Sequence, residues 1–208
     1  MTSAEKPLDI HAYLAGPDVF YADAVIRGER KKTFLKTLGI TGHFPFDNEI
    51  PPSHITNPAD IAAHIAKANE QQLLSCCAQG RIGLVLADIT PYHGVSLDTG
   101  TAHEIGFASA LHTLGHKIHI FAYTNDPRPY EKRLEEDYFD GNVALGADGR
   151  IYGKTAQNTE PTALETFGIA DNLMIVGAIR HTGGAVYSSF ELASRAARNY
   201  LQHIDKAR

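Results

Sequence analysis

Two carboxylates, Asp98 and Glu104, stand in the run Asp-Thr-Gly-Thr-Ala-His-Glu-Ile-Gly that spans residues 98–106. A carboxylate pair in a small apolar cleft suits glycosidic chemistry, one group attacking the sugar and the other handling protons. Thr99, Gly100 and Thr101 suit a helix start, and Gly100 allows the backbone to approach a ligand closely. Glu104 then falls in the second helical turn. An apolar strand pattern, Ile82 to Ala87, precedes the run, and a helical pattern through Ile105, Ala108 and Leu111 follows it. In an open α/β sheet that junction lies at the carboxyl end of a strand, where ligands bind.

The elements that must position this pair alternate along the chain. Ile10 to Ala15 predicts a first strand closed by Gly16-Pro17, and Ala22 to Leu38 a helix with Gly39 behind it. His43 to Phe46 predicts a second strand, Ala59 to Ala78 a long amphipathic helix, and Arg81 to Ile89 a central parallel strand. Asp98 to Leu114 is a third helix and Lys117 to Tyr123 a fourth strand. Such alternation predicts a doubly wound, flavodoxin-like (Rossmann-like) α/β fold with a parallel sheet of about five strands. The fifth is expected at Asp171 to Ile179, before a closing helix from Ser188 to Ile204. The whole chain, 1–208, is expected to be a single domain: a core at 8–123, an irregular cover segment at 124–168 and a C-terminal segment at 169–208.

Composition narrows the function. The chain has 208 residues, 43% hydrophobic and 21% charged, with a net charge of −5. That balance gives no electrostatic footprint for nucleic acid or an anionic membrane. No apolar run approaches the ~20 residues needed to span a bilayer. The opening residues lack the apolar stretch of a signal peptide, so the expected location is the cytoplasm. Adjacent Cys76 and Cys77 read as small buried apolar residues rather than a disulfide or a zinc site, and the eleven histidines form no metal-binding spacing. With neither a dinucleotide fingerprint nor a phosphate-binding loop, no cofactor and no metal are expected.

The Asp-x-Gly-x-x-x-Glu run, the Tyr-Leu-Ala-Gly-Pro opening at 13–17, Pro45 to Glu49 and Asp171-Asn172 occur in an order that resembles the nucleoside 2-deoxyribosyltransferase family. The resemblance implies an enzyme that cleaves the N-glycosidic bond of a 2′-deoxynucleoside and passes the deoxyribosyl group to a free nucleobase. Glu104 would be the nucleophile, forming a covalent deoxyribosyl intermediate, and Asp98 would sit at the nucleobase as proton donor. Tyr13 would hydrogen-bond the nucleophile, and Gly16 would bring the following turn close to the ligand. Asp47, Asn48 and Glu49 would form the base-contacting loop, with Glu49 where bacterial members often carry glutamine. Asn69 and Asp88 would face the same site. Asn172 would reach the sugar 5′-hydroxyl of a neighbouring subunit, making the protein a homo-oligomer with shared sites.

Each of these residues also has an ordinary structural reading. Asp98 could serve only as a helix cap, Glu104 as a solvent-facing helix residue, Tyr13 as a buried strand tyrosine, and Asp88 or Asp171-Asn172 as turn residues. Three other functions compete. A hydrolase of nucleosides or nucleoside monophosphates on the same fold would let water finish the reaction. Phosphoribohydrolases carry Pro-Gly-Gly where this chain has Ser96-Leu97-Asp98, which counts against them. A non-catalytic nucleotide sensor would not need both carboxylates.

Overall fold

A computed structural model describes residues 8–48 and 53–206, which leaves Glu49 of the base-contacting loop outside the described residues. Five parallel strands form the central sheet: β1 (Ile10–Ala15), β2 (Ile40–His43), β3 (Ile82–Asp88), β4 (Ile118–Tyr123) and the short Val186–Tyr187 near the C-terminus. With that last strand in fifth place, the spatial order is 2-1-3-4-5, the flavodoxin-like arrangement. The helices α1 (Ala24–Thr37), α2 (Pro58–Cys76) and α3 (Thr99–Thr113) form the first three crossovers.

Strand alternation sorts the core onto two faces. Ile10, Ala12 and Leu14 of β1 pack with Leu35 of α1 and with Ala193, Ala197 and Leu201 near the C-terminus. Tyr13 and Ala15 point the other way, into a cluster with Leu73 and Cys76 of α2 and Ile105 and Ala108 of α3. The period of two along a strand is therefore what delivers Tyr13 to the face on which Glu104 lies. Cys76 and Cys77 are free and buried, and burial pushes the Cys76 thiol up to about 12.

Three elements differ from expectation. The second strand lies earlier, at Ile40–His43, because Pro45 cannot donate to a ladder and instead begins a 3₁₀ turn over Pro45–Asp47. Segment 124–168 is not structureless. It holds the short helix α4 (Tyr130–Arg133), a wider π turn over Leu134–Tyr138, and a three-stranded antiparallel sheet of β5 (Val143–Leu145), β6 (Ile151–Gly153) and β7 (Thr162–Ala163). The apolar run expected as a fifth strand is the helix α5 (Leu173–His181), whose first turn is capped by Asn172 accepting from Met174 N at 3.0 Å. Its buried Ile179 packs with the face that carries α3, a helical side rather than a strand face.

The fifth strand follows as β8 (Val186–Tyr187), and α6 (Phe190–Lys206) closes the fold. A Cβ at Gly184 would lie 1.6 Å from the carbonyl oxygen of Ile120, so only glycine lets the chain pass β4 on its way into β8.

Candidate active site

The carboxyl edge of the sheet opens into a cavity of about 620 Å³. Glu104 and Asp98 reach it from α3, Gly16 and Phe20 from the turn after β1, Phe46 and Asn48 from the turn after β2, and Ile65 and Asn69 from α2. Asp98 is the N-cap of α3: its Oδ2 accepts from Thr101 N at 2.9 Å and from Thr101 Oγ1 at 3.2 Å. Oδ1 is thus the oxygen left for a ligand. Gly100 lies one turn before Glu104, where the lack of a side chain keeps the approach to the carboxylate open. A Cβ at Gly100 would come within 2.9 Å of Asp98 Oδ2, so a larger residue would also disturb the cap.

Fully buried Tyr13 donates its hydroxyl to Glu104 Oε1 at 2.5 Å. Burial raises the Glu104 carboxyl, the Tyr13 hydrogen bond opposes that rise, and the nearby Asp98 charge adds to it, leaving the group at about 7. The Tyr13 hydroxyl is itself pushed well above its ordinary range, first by burial and then by the Glu104 charge, so it stays a donor. A carboxylate with its proton poised near neutrality, fixed by one donor at a cavity wall, has the attributes of a nucleophile or a proton carrier.

The remaining candidates divide. Asn48 Nδ2 donates to Asn69 Oδ1 at 2.8 Å, so these two amides form one polar patch on the cavity wall. Gly16 lines the cavity and lies so close to β3 that a Cβ would be 2.8 Å from Asp88 Cβ. Asp88 therefore sits behind Gly16, not in the cavity. Its Oδ1 accepts from Thr90 N at 3.0 Å, the strand-end turn reading. Asp47 also turns away: its carboxylate accepts from Phe44 N and from Lys32 Nζ, tying the turn to α1. Asn172 lies outside the lining, capping α5 and donating to Glu165 Oε1 at 2.7 Å. Segment 124–168, expected as a cover, supplies none of the described residues that line the cavity.

Reasoning from motifs missed the apolar walls. Phe20 is 61% exposed and Phe46 53%, unusual for phenylalanine, and Val19, Val25 and Ile65 complete the surface. Apolar residues directly after two strands at the carboxyl edge of the sheet were the available signal. Such walls accept a flat aromatic group, while the amide patch and the carboxylates orient it.

Comparison with known proteins agrees with this geometry. The family model described as nucleoside 2-deoxyribosyltransferase matches residues 12–174. An uncharacterized protein of Schizosaccharomyces pombe is 25% identical over 186 residues, covering 86% of this chain and 82% of that protein. A 2-desoxiribosyltransferase from Leishmania mexicana is 24% identical with a TM-score of 0.58, covering 91% of this chain and 97% of the other. A conserved protein from Enterococcus faecalis is 21% identical with a TM-score of 0.53, covering 89% and 95% respectively. The last two likenesses show the shared fold. Among the described residues, no helix is long and apolar enough to cross a membrane, and no group of three or more histidine, cysteine or acidic side chains could hold a metal.

Proposed function

We propose, because this chain belongs to the nucleoside 2-deoxyribosyltransferase family, that it moves the 2-deoxyribosyl group between nucleobases through a covalent intermediate on Glu104. The observation that carries this reading is the 2.5 Å hydrogen bond from Tyr13 to Glu104 at the wall of a cavity that also contains Asp98.

In the first half-reaction, ionised Glu104 attacks C1′ of the deoxynucleoside. The C1′–N bond breaks, its electron pair leaves with the base, and Asp98 delivers a proton to a ring nitrogen of that base. The deoxyribosyl group remains as an ester on Glu104. A nitrogen of a second base then attacks C1′ from the opposite face and gives up its proton to the ionised Asp98, the C1′–O bond breaks to release the Glu104 carboxylate, and configuration is retained overall. Phe20 and Phe46 offer their rings to the base, and Asn48 and Asn69 offer donors and acceptors to its edge. A 2′-hydroxyl would find no partner on apolar walls, at a cost on the order of 1–3 kcal/mol, which favours deoxy sugars.

The same reading gives Asn172 a role in a neighbouring copy, where it would bind the sugar 5′-hydroxyl. Within its own chain it lies away from the cavity, which is compatible with such a shared site. Mixing chains carrying Glu104→Ala with chains carrying Asn172→Ala should then restore activity that neither has alone. An inactive mixture would remove Asn172 from the site.

One observation favours a second reading, hydrolysis. The cavity walls at Phe20 and Phe46 are exposed, and segment 124–168 does not close over them. Water reaching the intermediate would release free deoxyribose. Incubation with 2′-deoxyinosine, with and without adenine, separates the two. Formation of 2′-deoxyadenosine in the presence of adenine establishes transfer, whereas hypoxanthine and deoxyribose at the same rate without acceptor establish a hydrolase.

A further inference from the structure

Arg133 is fully buried, and its guanidinium joins three separate stretches of chain. Nε donates to the carbonyl of Val95 at 2.8 Å, Nη1 to the carbonyl of Arg128 at 2.8 Å, and Nη2 to the carbonyl of Ala170 at 2.7 Å and to Asp171 Oδ2 at 3.1 Å. Asp171, also fully buried, accepts from Ser96 Oγ at 2.5 Å, from Leu97 N at 3.2 Å and from Asn172 N at 2.7 Å. The Arg133–Asp171 and Leu97–Asp171 bonds are fully buried and the others partly so, and an unmet partner in such surroundings is costly.

The position of this clamp is what gives it meaning. Residues 95–97 belong to the loop between β3 and α3, and the next residue is Asp98. A loop of this length has few local bonds of its own: within it, Tyr92 N to the carbonyl of Ser96 is the one backbone bond. Arg133 holds the carbonyl side of Val95, while Asp171 holds the hydroxyl of Ser96 and the amide of Leu97. The last three residues before the cap are thus fixed from outside, by groups in α4 and at the start of α5. Segment 124–168 therefore meets the site from behind, through Arg133.

We propose that Arg133 and Asp171 are positioning residues that hold the 95–97 loop so that Asp98 meets the leaving base, a role that rests on the reading of Asp98 as proton donor given above. A clamp that served folding alone would lower every reaction of the site alike when weakened. A clamp that aims Asp98 should matter only where a proton must be delivered. Misplacing a reacting group by about an ångström costs on the order of 100-fold in rate.

The test compares two donors, 2′-deoxyinosine and p-nitrophenyl 2-deoxyribofuranoside, whose phenolate leaves without protonation. Ser96→Ala removes one bond of the clamp and leaves the ion pair intact, so it should fold. Asp171→Asn is the stronger variant, and Asp98→Asn the reference. With Ser96→Ala, kcat for deoxyinosine should fall about tenfold while kcat for the aryl donor stays within about twofold and KM for both is nearly unchanged. Asp98→Asn should show the same selectivity more strongly. Equal losses on the two donors, or no loss on either, would overturn the positioning role. A wild-type protein inactive on both donors, or a Glu104→Ala variant that keeps full activity, would instead overturn the deoxyribosyltransferase reading and the inference with it.

Discussion

Glu104, half-buried at the cavity wall, and Asp171, fully buried, are both carboxylates, and they are supplied very differently. Asp171 accepts hydrogen bonds from Ser96, Leu97, Asn172 and Arg133. Glu104, among the described residues, accepts one, from Tyr13. Burial pushes both groups upward, but around Asp171 the donors and the Arg133 charge pull back against it. Around Glu104 a single donor is opposed by both burial and the charge of Asp98. A carboxylate whose lone pairs are all spoken for holds chains together, and one left short of partners is available to a substrate.

Substitution at the two positions should break different things. Glu104→Ala should lower deoxyribosyl transfer by roughly 10⁴-fold or more, the scale of removing a nucleophile. Chromatography of the products of deoxyinosine and adenine gives that rate, and a loss of less than about tenfold would remove Glu104 from the nucleophile role. Asp171→Ala should act on the fold as well as on the aim of Asp98. It strands the Arg133 charge in the interior, a loss of about 3–5 kcal/mol of stability. Urea denaturation reads this directly, and a midpoint equal to wild type would mean that the pair relaxes without cost.

The two carboxylates also differ in how far the sequence revealed them. Glu104 is legible because its surroundings are local: the cap Asp98, Gly100 and Glu104 itself all fall within seven residues of one helix start. Tyr13 was legible because strand alternation has only two choices of face, and the five-strand parallel sheet followed from the βα alternation. Asp171 and Arg133 are 38 residues apart, and Arg133 reaches back 38 residues again to Val95, so no spacing rule connects them. The run after Asp171 reads as a strand in the sequence for a related reason. Nine apolar-rich residues suit either element, and the deciding features are the cap at Asn172 and the packing of Ile179. Asp88 ends β3 and Asp47 follows β2, but neither lines the cavity, because which way each side chain turns is set by Gly16 and Lys32, partners remote in sequence.

Stability sharpens the contrast further. The Glu104 carboxyl stands at about 7 in the folded protein against 4.5 for an unperturbed group, so its folded form resists ionisation. Stability linked to Glu104 is then fully present below pH 4.5, and is lost as pH rises through about 7. Glu104→Gln keeps an acceptor for Tyr13 and cannot ionise. It should be more stable than wild type by up to about 3 kcal/mol at alkaline pH, with no difference in acid. Thermal melts of both proteins across pH check this, and a difference that does not vary with pH would mean that the carboxylate is not held against ionisation.

The smallest effect is expected at Tyr13, and it separates positioning from electrostatics. Nucleophilic attack requires the ionised carboxylate, so kcat/KM of the wild type should rise with pH through about 7, the position of Glu104 in the free protein. The Tyr13 hydrogen bond is the one influence on Glu104 that lowers its pKa. Tyr13→Phe deletes that bond while keeping the ring in the core, so the acid limb should move to higher pH. At neutral pH the variant therefore loses activity twice, once because less Glu104 is ionised and once because its rotamer is freed, together about tenfold. Above the shifted limb Glu104 is ionised in both proteins, and the deficit should shrink to the rotamer contribution alone. A deficit that is constant across pH, with the limb unmoved, would make Tyr13 a holder of geometry and leave the ionisation of Glu104 to burial and Asp98.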